Sequence, residues 1–93
     1  MALTKDLTDL LSQAGGAHHV FEQTVLKGVY DKEWSAWYAE WIIQHGLNAL
    51  LGTTMNVPQL ATLLDDINEQ HKKSSAGLDW AEFTAVELLK RRN

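Results

Sequence analysis

The chain has 93 residues, an apolar fraction of 45%, no cysteine, and eight basic against twelve acidic side chains for a net charge of −4. That length makes one domain spanning 1–93, with a thin core that buries about 60–65% of the surface its unfolded form would expose. The absence of cysteine excludes disulfides, zinc thiolates, iron–sulfur clusters and cysteine nucleophiles. The acidic balance argues against nucleic acid, whose binders draw most of their affinity from a basic face. No apolar run reaches the length of a membrane span and the first residues lack the pattern of a signal peptide, so the expected setting is the cytoplasm.

The first helical pattern runs from about Thr4 to about Leu26. Leu3, Leu7, Leu10, Ala14, Ala17, Phe21 and Val25 recur at three- and four-residue steps. The step holds through Gly15-Gly16, which reads as one helix, bent or straight, against a rival reading of two. Small residues at 14 to 17 also permit close approach by another helix. Lys27-Gly28 is the expected end, with Gly28 as the C-terminal cap.

A second helix is expected after Asp31, read as its N-cap. Trp34, Trp37, Tyr38, Trp41, Ile42 and His45 lie at i, i+3, i+4, i+7, i+8 and i+11, a broad aromatic face ending at Gly46. Leu47 to Leu51 can form a further helical turn before Gly52.

The third helix opens with a capping box, Asn56 with Gln59, flanked by Met55 and Leu60 in staple positions and with Pro58 in the first turn. Leu60, Leu63, Leu64, Ile67 and His71 share one face, and the helix should fade between Lys72 and Ser75. The fourth repeats the device. Asp79 is the cap, Glu82 closes the box and Leu78 is placed to staple Phe83, while Trp80, Phe83, Val86 or Glu87, and Leu89 or Lys90 trace the period and Leu88 widens the buried face. The closing Lys90-Arg91-Arg92 suits a helix C-terminus, where cations offset the dipole. The implied fold is all-α, a compact four-helix bundle or an orthogonal helical array.

Candidate chemistry is sparse. The stripe Trp34, Trp37, Tyr38 and Trp41 is the strongest candidate for partner or ligand binding, because Trp and Tyr dominate binding hot spots. A plain core role is its rival, and the width of the face leaves one ring to reach the surface. His18 and Glu22, at i, i+4, together with His19 are the candidates for a divalent metal, although the Glu-x-x-His pairs of dimetal bundles are missing. Gly77 to Phe83 fails as the end of a calcium loop, since the glycine position falls on Ala76. Val57 to Leu64 has the look of a helix-turn-helix start, but the next helix opens without base-reading side chains. Asp65 and Asp66 are adjacent and point apart. No nucleophile elbow, phosphate loop or dinucleotide fingerprint is present.

The segment Trp34 to Leu47, preceded by Gly28-Val-Tyr-Asp31 and joined by Asp79-Trp-Ala-Glu-Phe83, resembles a family of small bacterial helical proteins of unknown function. The resemblance implies a helical fold and carries no active site. The expectation is therefore a non-catalytic helical interaction module that self-associates as a homo-oligomer, with a protein partner, no cofactor, no nucleic acid and no membrane. The alternatives are a small-ligand-binding domain with an aromatic-lined pocket tipped by His45 or Tyr38, and a metal-binding protein using its helix histidines.

Overall fold

The computed structural model describes residues 3–28, 33–74 and 77–91. Among them are five helices and no strand: α1 Leu3–Thr24, α2 Trp34–Gln44, α3 Leu47–Leu51, α4 Val57–Ser74 and α5 Trp80–Arg91. The all-α expectation holds, and the short turn anticipated at Leu47 to Leu51 is α3, one helix beyond the expected four. Packing runs around a ring in which α1 meets α5, α5 meets α4, α4 meets α2 and α2 meets α1, while α3 touches α1 and α2. The radius of gyration is 12.8 Å, close to the roughly 12 Å expected of a compact chain of this length.

The centre of the ring is aliphatic. Leu7 and Leu11 of α1, Ile42 of α2, Leu47 of α3, Leu60, Leu64 and Ile67 of α4 and Leu88 of α5 are all fully buried. Each comes from the apolar line of an amphipathic helix, so burial of these stripes against one another is what drives the association of the helices.

α1 is continuous through Gly15-Gly16. Its buried line is Leu7, Leu10, Leu11, Ala14 and His18, so Leu11 and His18 replace the later members of the expected series. The helix stops at Thr24, two residues short of the expected end, and Val25 stands 62% exposed in the turn. The turn becomes left-handed one residue before the glycine: Lys27 has φ 53° and Gly28 φ 84°. Gly28 N–H then donates to the Glu22 carbonyl at 2.8 Å, satisfying an acceptor that the helix end leaves open. Asp31, the expected cap of α2, lies outside the described residues.

The other boundaries follow local chemistry. Gly46 (φ 100°) separates α2 from α3, and Gly52 (φ 71°) ends α3. The first capping box is complete, with Gln59 N–H donating to Asn56 Oδ1 at 2.9 Å and Asn56 N–H to Gln59 Oε1 at 3.0 Å. In the second, Glu82 N–H donates to Asp79 Oδ2 at 3.0 Å. The expected staple from Leu78 onto Phe83 is replaced by a histidine clasp. Leu78 is 59% exposed, His71 Nε2 donates to its carbonyl at 2.7 Å, and the His71 ring covers Phe83 at 5.2 Å. At the far end of the same helix pair, Arg91 of α5 bonds Asp66 of α4 and also Glu87, which further receives Lys90 at 3.3 Å. Arg92 lies outside the described residues.

One loop is held by a residue without a motif. Asn48 of α3 accepts Met55 N–H at 3.1 Å and the Thr53 hydroxyl at 2.7 Å on Oδ1, while its Nδ2 donates to the Met55 carbonyl at 2.9 Å. A single amide thereby supplies the partners that strand pairing would give to Met55, and fixes where α4 begins.

A candidate aromatic cleft

The deepest line of α2 is not its aromatic stripe. Ser35, Ala39 and Ile42 face the core. At about 100° per residue, Trp34, Tyr38 and Trp41 fall on one flank of that line and Trp37 farther round. All four rings are consequently half-buried. Small side chains at 35 and 39 draw α2 inward, and the rings reach sideways over the neighbouring helices.

The stripe divides into three contacts. Trp34 and Tyr38 meet each other edge to face at 5.6 Å (85°), and both meet Trp80 of α5, at 6.1 Å and 5.5 Å with 74° between planes. Trp37 packs on α1, 5.0 Å from His18 and 5.5 Å from Phe21. Trp41 stacks flat on His45 at 3.7 Å and 13°, and the His45 Nδ1 donates to the Trp41 carbonyl at 2.7 Å. His45 thus closes the end of its own helix. A shallow groove of about 190 Å³ lies outside α2, between Trp37, Glu40, Trp41 and Gln44.

Where Trp34, Tyr38 and Trp80 meet, a cleft of about 350 Å³ opens to solvent, lined also by His18, Asn68 and Lys72. Trp80 is placed by the Asp79 cap immediately before it, and its Nε1–H donates to Asn68 Oδ1 at 3.1 Å. Lys72, one helical turn beyond Asn68, is 65% exposed and reaches Glu69 at 3.5 Å. The Tyr38 hydroxyl rests over Gly15, where an added Cβ would sit 3.4 Å from it. The small pair in α1 therefore admits a ring tip at Gly15, and nothing approaches Gly16. Burial, followed by the charge of Glu22, raises the Tyr38 phenol above its ordinary value near 10. The phenol stays protonated at neutral pH, with a hydroxyl able to donate.

The metal candidates separate. His18 is buried among Phe21, Trp37 and Tyr38 with Nδ1 3.7 Å from Glu22 Oε1, whereas His19 is exposed. Among the described residues no group of three or more His, Cys, Asp or Glu is arranged to hold a metal ion, and no helix is long and apolar enough to cross a membrane.

Trp80, Asn68 and Lys72 complete the cleft although the aromatic spacing of α2 gives no hint of them. The signal lies in the short α4–α5 connection. With only five residues between Ser74 and Trp80, the start of α5 stays near the last turns of α4, and Trp80 meets Asn68 there.

No family model and no solved structure matches the chain. A stretch of 55 residues, 59% of the chain, is 36% identical to Druantia protein DruE of Escherichia coli, and this likeness spans 3% of that much longer protein.

Proposed function

We propose that the chain is a non-catalytic helical interaction module that receives a protein partner in the cleft formed by Trp34, Tyr38 and Trp80, with self-association as its first use. The observation that carries this reading is the placement of the rings. Three large aromatics converge on one opening and stay partly exposed, at the edge of a core whose fully buried side chains are mostly aliphatic. Rings of this kind provide most of the energy at protein interfaces, because they bury large areas and lose little conformational freedom. The likeness to a short stretch of a much longer protein supports a unit that works beside other domains.

Light scattering after size exclusion, over a wide concentration range, tests the reading. The expected result is a dimer that dissociates on dilution, and that dissociates more readily in Trp34→Ala with helical circular dichroism retained. A strict monomer removes self-association and leaves a heterologous partner. If Trp34→Ala and Trp80→Ala each unfold the chain, the rings are core and the module reading fails.

A small-ligand site is the second reading. Its support is the cleft volume, at the low end of the roughly 300–1,000 Å³ of ligand pockets, and the hydrogen-bonding groups of Tyr38, Asn68 and Lys72 on its wall. Saturable tryptophan-fluorescence changes with one member of a metabolite panel would favour it, and a flat response across the panel would remove it.

A further inference from the structure

We infer that the cleft selects a partner segment in which an aromatic side chain lies beside a carboxylate. This rests on the interaction-module reading and adds to it the chemistry of the segment.

The ring geometry defines the apolar half. Trp34, Tyr38 and Trp80 stand at 74–85° to one another with centroids 5.5–6.1 Å apart, which makes a corner of nearly perpendicular walls. A ring entering such a corner can lie face to face with one wall and edge to face with the next, the two arrangements that aromatic quadrupoles favour. The cleft encloses about 350 Å³. It is open to solvent, whereas pockets for free ligands bury about 70–90% of the ligand surface. A side chain anchored in a partner needs no such enclosure.

The wall chemistry defines the charged half. Of the described residues lining the cleft, Lys72 is the one permanent cation and none is a carboxylate. That is the reverse of the chain as a whole, whose net charge is −4. Three rings alone would also suit a cation held over their faces, but Lys72 repels one. Its partner among the described residues is Glu69, an exposed neighbour on α4 at 3.5 Å, and exposed pairs of this kind are weak enough to exchange for an incoming carboxylate. The flexible stem lets the ammonium follow its partner. Asn68 favours the same sign. Its Oδ1 already accepts one hydrogen bond, from Trp80 Nε1, and its Nδ2 is a donor that suits a carboxylate. His18 on the wall lies 3.7 Å from Glu22 of α1, which does not itself line the cleft.

The test is a charge series at constant ring. Three blocked tetrapeptides, acetyl-Gly-Trp-Glu-Gly-amide and its Gln and Lys counterparts, are titrated into the ¹⁵N-labelled intact chain. The tryptophan Nε1–H signals then report the place of binding. The expected result is that the Trp34 and Trp80 signals move and the Trp41 signal does not. The acidic peptide should bind roughly three- to tenfold more tightly than the basic one, with Gln between them. Lys72→Gln should erase most of that ranking and Lys72→Glu should invert it, and added salt should compress it. Equal affinity for the three peptides at the cleft would overturn the charge inference and leave the docking reading standing. Tightest binding by the basic peptide, or a ranking unchanged in Lys72→Gln, would overturn it as well. Absence of binding at millimolar peptide, or shifts confined to other residues, would overturn both the inference and the cleft as a docking site.

Discussion

The two ends of the hydrophobic inventory are built differently. The aliphatic centre, from Leu7 and Leu11 through Ile42, Leu64 and Leu88, is sealed from water. The aromatic end, from Trp34 and Tyr38 to Trp80, packs against the core yet leaves each of these residues partly exposed. Leucines on four helices can interdigitate at native density around a common axis. Indole and phenol rings on the flanks of a helix lined with Ser35 and Ala39 cannot enter that axis, so they spread across its edge. The fold therefore depends mainly on the first group, which leaves the second available for contact with another molecule.

The sharpest way to break this contrast is to remove one member of each group. Leu64→Ala should cost about 2–5 kcal/mol, because it deletes fully buried methyl groups and leaves a cavity that the ring of helices can only partly close. Trp34→Ala removes a larger side chain, but water can fill the space it leaves at the edge, so its cost should be smaller, about 1–2 kcal/mol. Urea denaturation followed by circular dichroism measures both. A Trp34→Ala loss equal to or greater than that of Leu64→Ala would place the aromatic end in the core and remove the ground for a docking role.

A middle-sized effect is expected at the loop that joins the two groups. Asn48→Ala strips partners from both backbone groups of Met55 and from the Thr53 hydroxyl, in a partly buried setting. The expected cost is about 1–3 kcal/mol, the range for buried polar groups left unsatisfied. Hydrogen exchange at the Met55 amide should accelerate more than exchange in α5. Uniform acceleration across the chain would mean that the loop is not a local unit and that Asn48 supports the core itself.

What could be read from the sequence was local. The Asn56–Gln59 box, the Asp79 cap and the turns at Gly46 and Gly52 are set by residues within a few positions of one another, and each is where its chemistry places it. The aromatic stripe was legible as a stripe. Its division among Trp80, His18 and His45 was not, because that depends on which helices become neighbours around the ring. The burial of His18 shows the same limit, since a polar side chain on α1 goes inside only because Trp37 and Tyr38 arrive to cover it. Asn48 carries no sequence signal because its partners lie in a loop without periodicity, and Val25 fits the period of α1 yet lies past its end because a period does not mark where a helix stops.

The smallest effect discriminates most finely between the two regions. Gly15 and Gly16 are neighbours in the same uninterrupted helix, so alanine at either should gain about 0.4–1 kcal/mol from reduced freedom of the unfolded chain. At Gly16 the new methyl group meets nothing within 4 Å, and the gain should appear in full. At Gly15 the methyl would lie 3.4 Å from the Tyr38 hydroxyl, at the near limit of ordinary contact. Gly15→Ala should therefore gain less than Gly16→Ala, and it should alter the near-ultraviolet circular dichroism of the aromatic end while Gly16→Ala does not. Equal gains with unchanged spectra would show that the Tyr38 ring is free to shift, as expected of a cleft that adapts to an occupant. A net loss at Gly15 would show that the phenol is held as rigidly as a core leucine. The difference between a sealed centre and a yielding edge would then disappear, and with it the reason to expect binding where the rings converge.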